Sequence, residues 1–183
     1  MNKQLALVLV LLMPLAFLIY MLFVNEVDDP IKYIYTVTGG TAITLLYITP
    51  SLSMIKKAVN FIKYRRTVGL FSFFYALLHM LNFIILDMEL DVASAIKETL
   101  DKPFIYLGMI AFFILLFMAI TSLRVLFSDF YKYHKIIYIA LLLVTIHFVM
   151  AQKALAIDQW VYLLIMVIIG IFKFLQRTKL LNI

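Results

Sequence analysis

Long apolar runs alternate with short charged segments from one end of this chain to the other. Six runs have the length and character of helices that cross a bilayer: 5–24, 34–54, 69–86, 104–123, 133–150 and 160–175. An apolar helix of about 20 residues spans a hydrocarbon core of ~30 Å, and the shorter runs lie near the lower limit. The pattern predicts an all-α integral membrane protein, a six-helix bundle with residues 1–183 as one transmembrane domain and hardly any sequence left for a soluble module. The first run follows a single lysine, has no small-residue cleavage site and leads into "NEVDDP". It therefore reads as a retained helix and not as a signal peptide. The small residues of "TVTGGTAIT" suit close helix contact, and Thr49-Pro50 would loosen the second helix near its end.

Charge sets the orientation. The N-terminus, the "KKAVNFIKYRR" loop, the segment Arg124 to Lys135 and the C-terminal tail carry Lys3, Lys56, Lys57, Lys63, Arg65, Arg66, Arg124, Lys132, Lys135, Lys173, Arg177 and Lys179. The other three loops carry Lys32, Lys97, Lys102 and Lys153. Basic residues collect on the cytoplasmic side, so both termini are expected in the cytoplasm. All the acids but Asp129 then lie on the opposite side.

Composition narrows the chemistry. The chain is 66% hydrophobic, with a mean hydropathy of +1.07. A net charge of +6 could suggest nucleic acid in a soluble protein, but the one-sided loops account for it here. The chain has no cysteine, which excludes disulfides, thiolate metal sites, iron–sulfur clusters and covalently attached haem. No GxGxxG opens a nucleotide site, and no Ser/His/Asp arrangement suggests hydrolysis. The ten methionines read as flexible core packing.

The three histidines all fall at or within apolar runs. Ionisable groups at membrane depth are costly and tend to be functional. His147 lies 13 residues beyond His134, a rise of ~20 Å at about 1.5 Å per residue. His79 lies 13 residues beyond Arg66 on the third run, so its depth should match that of His147. Two imidazoles at one depth on two helices are what an axially ligated haem requires. His134 and His147 differ by about 220° around a helix and cannot serve one iron. At the inner depth Arg66 stands where a second ligand would be, and its guanidinium suits a haem propionate or a flavin phosphate. No carboxylate lies near mid-membrane to complete a zinc site. Each histidine could instead be a hydrogen-bonded packing residue or part of a proton relay in a transporter, and these readings stay open on the spacing alone.

Together, "TVTGGTAITLLYITP", "YRRTVGLFSFFYALLHML", "DKPFIYLGMIAFFILLFMAITS" and "YHKIIYIALLLVTIHF" resemble the ferric-reductase-like transmembrane family over residues 36–175. The most specific parts are Arg65 to Leu70, the histidine ten residues after Gly69, Thr121-Ser122 and the paired histidines of the fifth run. The resemblance implies b-type haem, one or two, held by His79, His147 and His134, with Arg66 beside it and an FMN whose site has no visible signature. Within the family the closer likeness is to haem subunits of the bacterial inner membrane. It implies electrons arriving from a quinol or a cytosolic flavin reductase and leaving for a periplasmic molybdopterin methionine sulfoxide reductase. A stand-alone ferric or quinone reductase is the alternative within electron transfer. The chain departs from the family at "LFSDFYKYHK", where Phe127, Phe130, Tyr133 and Lys135 replace the usual glycine, tryptophan, leucine and arginine.

Overall fold

The computed structural model describes residues 2–54, 61–152 and 157–177. Lys56, Lys57, Lys153 and Lys179 of the orientation argument lie outside the described residues. Within them every regular element is helical: α1 Lys3–Val24, α2 Pro30–Met54, α3 Arg65–Leu81, α4 Val92–Asp101, α5 Pro103–Thr121, α6 Arg124–Phe130, α7 Ile137–Met150 and α8 Ile157–Arg177. A 3-10 turn, Ile62–Tyr64, leads into α3, and a π-helical turn, Asn82–Asp87, continues it. Another 3-10 segment, Tyr131–Ile136, joins α6 to α7.

The helix ends follow from their residues. Asp29 accepts the Lys32 amide at 2.9 Å just ahead of Pro30, whose fixed φ suits a first helical position. Asp91 accepts the amides of Ala93 and Ser94 and so starts α4. Glu89 and Leu90, with φ of 49° and 63°, make the turn between the π-helical segment and that cap. The sequence pattern assigns this region to an outer loop. The structure finds a ten-residue helix there, with Ala95 buried against the bundle and Val92, Ile96 and Leu100 exposed along one flank.

Four stretches among the described residues have both the length and the apolarity to cross a membrane: Lys3–Val24, Ile62–Asp87, Pro103–Thr121 and Arg124–Met150. The six expected crossings are therefore matched by four helices of that quality, and α2 and α8 occupy the other two predicted runs. In α8 the apolar stretch is the shorter Trp160–Phe172. α2 has the length, 25 residues, but with five threonines and two serines it is less apolar than α1, α5 and α7. Its hydroxyls turn back on their own helix: Thr36, Thr38, Thr44, Thr49 and Ser51 each donate to the carbonyl four residues earlier, at 2.6–2.9 Å. Such bonds satisfy polar side chains inside an apolar bundle.

α2 is also the hub of the packing. Its Ile43, Leu46 and Tyr47 meet Leu115 of α5, Ile137, Ala140 and Leu141 of α7, and Ile169 of α8. Its Leu45 joins Leu11 of α1 and Val68 and Tyr75 of α3 in a second cluster. Interhelical hydroxyls fix the register: Ser72 donates to the Ala42 carbonyl at 2.9 Å, and the Tyr47 hydroxyl lies 2.6 Å from Thr145 Oγ1. In α1, Pro14 interrupts the hydrogen-bond ladder. The fully buried Tyr75 fills the opening, donating to the Leu11 carbonyl at 2.7 Å and accepting the Leu15 amide at 3.2 Å.

Candidate functional site

His79 and His147 each occupy the last turn of a long helix, α3 and α7. Their imidazole centroids are 6.2 Å apart and their planes are nearly perpendicular, at 88°. The structure thus brings together the two histidines that counting places at one depth. His147 Nδ1 lies 2.6 Å from the Phe104 carbonyl at the start of α5, so the ring N–H is on Nδ1 and donates to that oxygen. His79 Nδ1 faces the Thr38 hydroxyl at 3.4 Å, with the Tyr35 carbonyl of α2 also in hydrogen-bonding reach. The Thr38 proton is already committed to the Ile34 carbonyl at 2.6 Å, so Thr38 is the acceptor. In both rings Nδ1 is anchored on the protein and the Nε2 lone pair is left for a ligand. A carbonyl or hydroxyl behind a histidine fixes its tautomer in this way in metal sites.

The separation fits one metal ion. A metal–nitrogen bond is about 2 Å and the ring centre lies a further ~1 Å behind its nitrogen, so an ion between two imidazoles holds their centroids about 6 Å apart. No three His, Cys, Asp or Glu side chains converge among the described residues. A pair of imidazoles therefore suits an iron whose remaining ligands come from a macrocycle, and does not make an all-protein cage. The surroundings are aromatic: the Tyr35 ring meets His79 edge-on at 5.1 Å, and Phe104 tilts against His147 at 6.0 Å. The Tyr35 hydroxyl reaches the Asp87 carboxylate at 2.9 Å, linking this depth to the end of the π-helical turn. One turn beyond His79, Asn82 donates to the Ile31 carbonyl at 3.1 Å while its own buried Oδ1 has no partner.

His134 sits apart, in the 3-10 segment ahead of α7, and presents the opposite nitrogen to the protein. Its Nε2 is 3.0 Å from Thr121 Oγ1, whose proton goes to the Phe117 carbonyl at 2.7 Å, so Nε2–H is the donor. Phe127 closes on the ring edge-on at 5.3 Å. Arg66, which depth counting places opposite His134, is exposed. Counting fixes rise along the axis but not direction, and neighbours on a helix point about 100° apart.

Sequence reasoning missed Tyr35, Phe104 and Gly108 and gave Thr38 and Gly39 only as part of a small-residue stretch for helix contact; together the five wall the two rings. The only sequence signal is a shared spacing, an aromatic residue four positions before a glycine, at the start of α2 and again at the start of α5.

A family model described as "Ferric reductase like transmembrane component" matches residues 5–149. The chain belongs to that family, and its fold is that of an all-helical, multi-pass membrane protein. Among curated proteins it is similar to the "Protein-methionine-sulfoxide reductase heme-binding subunit MsrQ" of Pectobacterium carotovorum subsp. carotovorum, 34% identical over 80% of this chain and 77% of that protein. Proteins of the same name from Brucella anthropi and Brucella ovis are 31% identical over 73% of this chain. The chain spans 64% of the length of these Brucella relatives.

Proposed function

We propose that this chain is the haem-binding membrane subunit of an electron-transfer system, with His79 and His147 as the two axial ligands of one b-type haem. The observation that carries the reading is the pair of perpendicular imidazoles 6.2 Å apart, each anchored through Nδ1. A haem held there would supply one-electron chemistry. The chain's own residues present two Nε2 donors, fix both tautomers through the Phe104 carbonyl and the Thr38 and Tyr35 oxygens, and exclude water with aromatic side chains. The bundle, residues 1–183 as one domain, crosses six times with both termini cytoplasmic, since α2 and α8 lie against helices of spanning quality.

Electrons enter from a quinol or a cytosolic flavin reductase at the basic inner face, where Lys63, Arg65, Lys132 and Lys135 favour an acidic partner. They leave at the acidic outer face for a methionine sulfoxide reductase, the kind of enzyme that the relatives' names mention, and by family resemblance this is a periplasmic molybdopterin enzyme of the MsrP type. FMN belongs to this reading by resemblance only. His134 is the residue left for a second haem, with Arg66 assigned to it by resemblance, but its Nε2 is engaged by Thr121, so ligation there requires that bond to open.

The test is a visible and electron paramagnetic resonance spectrum of the purified protein and of His79→Ala and His147→Ala. A redox-active Soret band in the parent protein is expected, with most low-spin signal lost in each variant while the protein still inserts. Full haem retention in both variants would sink the pairing, and a parent protein without a Soret band would favour a histidine relay.

A further inference from the structure

Each histidine of the pair lies against a glycine of the neighbouring helix. A Cβ at Gly39 would stand 2.8 Å from His79 Cε1 and 2.9 Å from Nδ1. A Cβ at Gly108 would stand 2.8 Å from His147 Nδ1 and 2.9 Å from Cε1. Such contacts are closer than carbon atoms tolerate, so any other residue would push the ring away. The remaining glycines differ: a Cβ at Gly40 or Gly170 would meet nothing within 4 Å.

The position of each glycine explains its use. In an α-helix the carbonyl four residues back accepts the glycine's own N–H and keeps a second lone pair. That carbonyl belongs to Phe104 for Gly108, where it lies 2.6 Å from His147 Nδ1, and to Tyr35 for Gly39, where it acts on His79. A side chain at the glycine would cover the second lone pair. Its absence opens a notch through which an imidazole from the next helix reaches a main-chain oxygen inside an otherwise sealed ladder. The device occurs twice, α2 holding a ring of α3 and α5 holding a ring of α7.

We propose that Gly39 and Gly108 are positioning residues that set the plane and donor strength of the two axial imidazoles; the inference rests on the haem reading above. A strong Nδ1–H···O=C bond gives the imidazole more anionic character and favours the ferric state. The two notches, on different helices, also impose the perpendicular planes. Perpendicular axial planes leave two iron d-orbitals nearly degenerate, which produces a strongly anisotropic low-spin resonance with a large highest g value.

The experiment compares the full chain, purified with its haem or reconstituted with hemin in detergent, with Gly39→Ala, Gly108→Ala and the control Gly40→Ala. The parent protein should show the large-g signal, and so should Gly40→Ala at an unchanged midpoint potential. Gly39→Ala and Gly108→Ala should each lower the highest g value and shift the midpoint potential upward, or lose haem while running as the same monodisperse species as Gly40→Ala. An unchanged spectrum and potential in both variants overturns the proposal. So does a rhombic, parallel-plane signal in the parent protein, a result that needs no variant to fold. Absence of haem from the parent protein, or its full retention by His79→Ala and His147→Ala, would instead remove the reading on which the proposal stands.

Discussion

Replacing Tyr75 with phenylalanine removes one buried hydroxyl that holds α1 to the rest of the bundle. The hydroxyl donates to Leu11 and accepts from Leu15, both in α1 beside Pro14, and the Tyr75 side chain is fully buried. Hydrogen bonds within membrane bundles are worth about 0.6 kcal/mol on average and at most ~1.7. Two of them put the loss at about 1–2 kcal/mol, because the ring still fills its site and α1 has no other donor there. For a chain of this length, 1 kcal/mol shifts a melting midpoint by roughly 2–4 °C, so Tyr75→Phe should melt about 2–8 °C lower. The assay is thermal unfolding in detergent, followed by the loss of the monodisperse peak on size-exclusion chromatography. Pro14→Ala supplies the sharper form of the test. Once proline is gone, residue 14 regains an amide for the Val10 carbonyl, the helix closes around the kink and the hydroxyl matters less. The cost of Tyr75→Phe should then fall by at least half, a coupling that a double-mutant cycle reads directly. Strict additivity, or a midpoint unchanged by Tyr75→Phe, would refute the bridging role.

Two further outcomes are expected. Thr121→Val removes the acceptor of the His134 Nε2–H, so this nitrogen becomes free to bind iron, and the chain should take up more hemin per protein at saturation than the parent; an unchanged ratio would show that this hydrogen bond is not the block. The Asp91 carboxyl is held below the usual carboxylate range, first by the Ser94 hydroxyl and then by the Ser94 and Ala93 amides. A depressed folded pKa stabilises at all pH above the unfolded value and is lost as pH falls through the folded one. The cap of α4 should therefore persist at pH 5 and open only below about pH 4, seen as a fall in the protection of the Ala93 and Ser94 amides relative to their intrinsic exchange rates at the same pH. Protection that falls already between pH 6 and 5 would contradict the sign.

Much of the frame was legible. Apolar runs gave the approximate positions of α1, α3, α5 and α7, because a bilayer demands length and apolarity and little else. Rise per residue was enough to pair His79 with His147, since depth depends only on counting. Angular position was not: Arg66, counted opposite His134, is exposed, and a single residue changes direction by about 100°. α4 was hidden because ten residues with charges on one flank resemble a loop when scanned for long apolar runs. Gly108 was not singled out, and Gly39 only as a small residue for helix contact, for a deeper reason. What matters at those positions is the room left for a ring from another helix, and no property of a single residue reports that.

The polarity of α2 has a consequence for how the molecule is made. Judged one segment at a time, as a nascent chain leaves the ribosome, a helix with five threonines and two adjacent glycines partitions into lipid less readily than α1, α5 or α7. Yet it forms the wall behind His79 and packs against α1, α3, α7 and α8. Its solvent is other protein more than lipid. The helix that shapes the site therefore settles in the membrane with its neighbours and not ahead of them, and a fault in α1 or α3 would reach the site through the biogenesis of α2.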